Sequence, residues 1–248
     1  MASLTAALGV GRGDVLAVVG AGGKTTLVYG LAAEARAAGL SVLVTTTTHM
    51  GTLPEAVTGP VLVEGEGGDL ARDIAAAVAR EGRVTVLGRR IRADKLEGLS
   101  REQVDGLRSY ADLLIVEADG ARGRSLKVPA THEPVIPASA TAVVVVAAVD
   151  CLGLPLDEAR VHRVALVCER TGAAPGDPVT EDLLVAALSH PQSYPSRVPS
   201  GARLVAFLNK ADTVAAQEAA EALGRRLRTV YERVAAGSAR GGEARAWT

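Results

Sequence analysis

The sequence predicts a three-layer α/β/α fold around a mostly parallel sheet, and three observations predict it. Short Val/Leu-rich runs of strand length alternate with Ala/Leu-rich stretches of helical periodicity along most of the 248 residues. The core must be built almost without aromatic rings, since 48% of residues are hydrophobic and only 2% aromatic. Valine strands buried on both faces under Ala/Leu helices meet that constraint. The polar clusters each follow an apolar run, which is where parallel sheets gather their ligands.

Taken in order, residues 15–19 read as the first strand. A helix follows over 25–38, with Gly39 as its stop. Strands are expected at 41–45, 61–64 and 84–87, and an amphipathic helix at 69–80 presents Leu70, Ile74, Ala77 and Val78 on one side. Ser100 and Gln103 have capping-box spacing at the start of a helix over 100–109. A buried strand at 113–116 leads into a Pro/Arg-rich loop that reaches Ser139. The unbroken apolar stretch 141–149 belongs centrally in the sheet. Helices are expected at 156–161, 180–189 and 214–227, with a strand at 203–208. Residues 230–235 read either as more of the last helix or as a final edge strand, and the tail after Gly237 as frayed. The chain reads as one domain, 1–248, in which the Pro/Gly-rich segment 151–201 is either part of the body or a small lid or subdomain.

The first strand runs into Gly20-Ala21-Gly22-Gly23-Lys24-Thr25-Thr26, and a helix follows. Glycines let backbone N–H groups turn inward around phosphate oxygens, and the helix adds the positive end of its dipole. Lys24 then reaches the outer phosphates and the Thr25 hydroxyl ligates Mg²⁺. The usual spacing would need glycine at position 18, where Val18 stands, so the loop is compact. With its strand and helix in place it predicts a P-loop NTPase-like fold and a bound nucleoside triphosphate.

Three further clusters fit that reading. Glu117 and Asp119 end an apolar strand on the same side of an extended chain, suited to Mg²⁺ and to orienting a nucleophile. In the run Thr45-Thr46-Thr47-Thr48, hydroxyls such as that of Thr46 are candidates for the metal or the outer phosphate; a β-branched strand entering a turn is the simpler account. His49 is a candidate for positioning a substrate. Arg122, Arg124 and Lys127 follow Asp119 in a glycine-bearing loop and are candidates for clamping an anionic small molecule, with His132 and Glu133 adding to that surface. Asn209-Lys210-Ala211-Asp212 matches N-K-x-D, whose aspartate accepts the donor pair of guanine; GTP is therefore favoured over ATP.

A net charge of −1 offers no basic field, which argues against nucleic acid. The longest apolar run is too short to span a bilayer, and no signal peptide is read, so a cytoplasmic location away from membranes is expected. Cys151 and Cys168 have no metal-binding or disulfide spacing and read as core residues.

Residues 18–27, 44–50, 207–212 and above all 116–137 (Val-Glu-Ala-Asp-Gly-Ala-Arg-Gly-Arg-Ser-Leu-Lys-Val-Pro and onward) resemble the YqeC family. Val128 intervenes where the family has Lys-Pro together, and Gln192-Ser193-Tyr194 replaces its glycine and basic residue after His-Pro. The family comprises accessory proteins of selenium-dependent molybdenum hydroxylases. The resemblance implies a nucleotide-dependent step in maturing a selenium-containing molybdenum cofactor, with a hydroxylase or a maturation protein as partner. The leading expectation is Mg²⁺-dependent NTP hydrolysis or phosphoryl transfer. A nucleotide-gated cofactor chaperone and a Mur-like ATP-dependent ligase, suggested by the compact loop, are the alternatives.

Overall fold

A computed structural model describes residues 2–51 and 55–247. The chain opens with β1 (Ala2–Ser3) and α1 (Leu4–Leu8), then β2 (Val15–Gly20), α2 (Lys24–Ala37) and β3 (Val42–Thr46). Next come β4 (Met50–Gly51), α3 (Glu55–Thr58), β5 (Val61–Val63), α4 (Leu70–Glu81) and β6 (Arg83–Leu87). A short hairpin, β7 (Arg90–Arg92) and β8 (Lys95–Leu96), precedes α5 (Arg101–Gly106) and β9 (Leu113–Glu117). The second half holds β10 (Leu126–Lys127), β11 (Ala142–Ala148), β12 (Val161–His162), α6 (Val164–Thr171) and α7 (Glu181–Ser189). It closes with β13 (Arg203–Asn209), α8 (Val214–Leu227), β14 (Arg233–Ser238) and β15 (Glu243–Trp247).

Among the described residues the main sheet has the order β1-β15-β14-β13-β11-β2-β9-β3-β6-β5. Every neighbouring pair from β14 to β5 is parallel; β15 and β1 add antiparallel at one edge. The sheet is buried on both faces. Leu16, Val18 and Val144 face Leu27 and Leu31 of α2 and Leu4 and Leu8 of α1. Val15, Val19 and Val145 face the other way, toward Ile74 of α4, Val167 of α6, Leu184 of α7 and Leu223 of α8. This two-sided burial is why the strands read as continuous apolar runs. The architecture is α/β with helices on both faces of a large, mostly parallel sheet. None of the described helices is long and apolar enough to cross a membrane.

Local signals account for most of the elements. Asp69 caps α4 through the N–H groups of Ala71 and Arg72, and Gly82 ends it at φ 64°. Ser100 and Gln103 form the expected reciprocal capping box. Two expectations are corrected and one open alternative is decided. Residues 156–161 form no helix: Asp157 Oδ1 accepts from the N–H groups of Ala159 and Arg160, a local turn that competes with helix. The helix starts later, as α6. Residues 233–238 form the strand β14 and not more of α8, and the tail is no frayed end but the strand β15. Segment 151–201 contributes Leu156, Val161, Val167, Leu184 and Tyr194 to the same core as the sheet.

The β14–β15 pairing depends on Gly237, where an added Cβ would lie 2.1 Å from Glu243 O and 2.7 Å from Ala244 Cα. Gly237→Ala is expected to cost about 1–3 kcal/mol through overpacking, read as a lower urea midpoint. An unchanged midpoint would show that β15 adds nothing to stability.

Candidate active site

The four polar clusters expected at one sheet edge lie at the carboxyl ends of β2, β3, β9 and β13. Strands β3, β6 and β5 lie to one side of β2, and β11, β13 and β14 to the other, so the loop after β2 occupies a switch point of the sheet.

Gly20, Gly22 and Gly23 adopt φ 96°, 88° and 116°, in the region that favours glycine. Space requires glycine as well. A Cβ on Gly20 would lie 2.2 Å from Val146 O, on Gly22 2.5 Å from Ala148 Cβ, and on Gly23 2.4 Å from Asn209 Nδ2. Ala21 donates its N–H to Val146 O. Gly23 opens α2 without a side-chain cap. The N–H groups of residues 22–26 find no acceptor among the described residues, which leaves an open row of donors at the positive end of a 14-residue helix.

Asp119 stands at the centre. Both its oxygens accept from the Gly20 N–H, at 3.1 and 3.0 Å, and Lys24 and Lys127 ammonium groups lie 3.3 and 3.0 Å away. Lys24 also donates to Gly20 O at 2.8 Å and lies 3.9 Å from Glu117. Glu117 accepts from the Thr25 hydroxyl at 2.9 Å. Burial raises the Glu117 carboxyl above the usual range, against the pull of Lys24. The Thr46 hydroxyl donates to the Glu117 carbonyl at 2.8 Å and accepts from Thr48 N, so Thr46 fixes the acid strand.

The basic loop divides. Arg122, at φ 50°, is exposed, and Arg124 is half-buried and reaches only Arg122 O. Lys127 does not face an open surface as expected: its side chain is fully buried between Asp119 and Glu133, 2.8 Å from the latter, and it donates to Gly120 O. Burial would raise the Glu133 carboxyl, but Arg163 and Lys127 outweigh it and hold it at about 2. Arg163, at φ 66° before α6, is a site residue that sequence reasoning missed; no local motif marks it. Tyr194, also missed, donates its hydroxyl to Lys127 O at 3.0 Å.

At β13, Asn209 donates to Gly22 O at 2.7 Å and accepts from Ala239 N at 2.9 Å, tying the loop to the end of β14. Lys210, at φ 62°, pairs with Asp150 at 2.6 Å, and Asp212 is exposed. Cys151 is buried, and burial pushes its thiol up to about 12, so it is an inert core group; Cys168 is half-buried.

A cavity of about 510 Å³ opens beside Asp119, lined by Thr47, Thr48, exposed His49, His132 and Glu133 among others. A larger cavity, of about 730 Å³, lies near Arg36, Arg80 and Arg83, at the start of β6 and away from the loop. Among the described residues no three His, Cys, Asp or Glu side chains converge as a metal site. Thr25, Glu117 and Asp119 supply oxygens of the kind that Mg²⁺ takes.

The fold and this cluster define an α/β protein with a glycine-rich loop and two buried acids at a sheet switch point. A family model described as "YqeC protein" matches residues 16–165. An Escherichia coli (strain K12) protein titled "Uncharacterized protein YqeC" is 36% identical over 201 residues, covering 80% of this chain and 77% of that protein. The chain belongs to the YqeC family.

Glu133, held at about 2 in the fold against an ordinary value of 4.5, contributes stability that is present above pH 4.5 and lost as pH falls toward 2. Urea midpoints of the native protein should therefore fall over that window more steeply than those of Glu133→Gln. Lys127→Met, which leaves Asp119 and Glu133 short of a cation, should cost about 3–5 kcal/mol at neutral pH.

Proposed function

We propose that this protein is a Mg²⁺-dependent P-loop nucleotide-binding protein that hydrolyses a nucleoside triphosphate or transfers its phosphoryl group. The observation that carries the reading is the open row of N–H groups at residues 22–26, set at a helix start beside Lys24, Glu117 and Asp119. Such donors hold phosphate oxygens without side-chain help. Lys24 turns from Asp119 to the outer phosphates. Thr25 and the two carboxylates would hold Mg²⁺, which would supply positive charge to the phosphoryl oxygens. Asp119, fixed by the Gly20 N–H, orients the attacking group.

GTP is the favoured nucleotide. Asn209 clasps the loop to Ala239, and Asp212 follows it with an exposed carboxylate available to a base. The place of this activity in maturing a selenium-containing molybdenum cofactor rests on the family resemblance; a molybdenum hydroxylase or a maturation protein is the partner it implies.

Thermal melting with Mg²⁺ and GTP or ATP tests the reading. At a hundredfold excess over Kd, binding adds about 2.7 kcal/mol, a rise of several degrees for a chain of this size. Asp212→Ala should abolish the preference for GTP; a native preference for ATP would refute the guanine assignment. Lys24→Ala should lower turnover by about a hundredfold or more with the circular dichroism spectrum retained. Undiminished turnover in that variant would sink the proposal.

A further inference from the structure

A second cavity, of about 460 Å³, adjoins the one beside Asp119, and His132 and Glu133 line both. Its other polar walls include Arg101 at the start of α5 and Arg197 on the turn Pro195–Arg197. Neither arginine belongs to an ion pair among the described residues. Arg101 touches Pro134 O at 3.5 Å, and Arg197 touches Thr131 O at 3.3 Å. Arg197 Nε is buried and has no hydrogen-bond partner among the described residues. A buried, unpaired guanidinium donor is costly unless something accepts its hydrogen bond. Glu133 does not meet that need, because Lys127 and Arg163 already match its charge. The cavity is therefore lined by two arginines outside any ion pair among the described residues.

Its wall is firmly placed. Val135 donates to Ala118 O at 2.9 Å, and Thr47 donates to Val135 O at 2.8 Å, which pins the 131–136 loop to the ends of β9 and β3. The two cavities meet at His132 and Glu133, with the arginines lining one and Asp119 the other.

We propose that Arg101 and Arg197 hold the anionic group, a carboxylate or a phosphate, of a small co-substrate whose remaining part lies beside Asp119. Planar guanidinium groups match both oxyanions bidentately. The exposed Arg122 and the half-buried Arg124 are not needed to hold it. That the bound molecule is a co-substrate rests on the nucleotide reading above; the anion site itself does not.

Isothermal titration with inorganic phosphate and, separately, with succinate at fixed ionic strength tests the site. At least one probe should saturate the native protein, and which one does so assigns the anion. Arg101→Gln, an exposed position that should not disturb folding, and Arg197→Gln should each weaken that probe at least fivefold. Lys24→Ala should leave it unchanged, and the GTP-induced melting shift should persist in both arginine variants. The proposal is overturned if neither probe saturates, if Arg101→Gln binds as the native protein does, or if Lys24→Ala abolishes binding, which would put the probe in the glycine-rich loop. Anion binding without any nucleotide-induced shift would keep this site and remove the nucleotide reading.

Discussion

The Asp119 carboxylate is the contact on which the rest of the site depends. Its side chain is fully buried, yet it meets the Gly20 N–H with both oxygens and two ammonium groups within 3.3 Å. It thereby joins the end of β2, the end of β9, the first residue of α2 and the loop carrying Glu133. A buried carboxylate is tolerated only when paired and hydrogen-bonded. Each partner is thus positioned by the need to satisfy it.

Charge balance sets what this cluster can do. Glu117, Asp119 and Glu133 are matched by Lys24, Lys127 and Arg163, which leaves the group neutral. Lys127 and Arg163 are committed to fixed partners on the protein. Lys24 is the cation with a loose contact, 3.9 Å from Glu117, and it lies beside the open N–H row. Under the proposed nucleotide reading it is the member that turns outward. Turning it leaves two acids facing each other with one cation fewer, an arrangement that favours recruiting positive charge from solution.

Legibility in the sequence followed the range of the interactions. Strands buried on both faces, the capping box at Ser100 and Gln103, and helix α8 are set by neighbours in sequence, and they were readable there. The loop, the acid pair and Asn209 were readable because each sits where an apolar run stops. What escaped depends on distant partners. Arg163 meets Glu133 across 30 residues, and Tyr194 meets Lys127 across 67. Lys127 resembled a free cation because its charge partners lie eight residues upstream and six downstream on a folded-back loop. The final strand β15 was misread because its pairing with β14 turns on glycines at 237 and 242, which look like disorder in isolation.

The compact spacing of the loop has the same origin. A longer loop would begin at position 18, but Val18 is fully buried and pairs with Val144 on one side and Glu117 on the other. A glycine there would weaken the central strand and leave space in the core. The strand runs instead to Gly20, whose missing side chain lets Val146 O approach, and the chain turns there. Val18 holds Glu117 in register, and Gly20 holds Asp119 by its N–H. Shortening the loop brings the two acids and Lys24 together within hydrogen-bonding or ion-pair reach. The departure from standard spacing is therefore a consequence of how β2 and β9 pair, and it leaves the donors at residues 22–26 open.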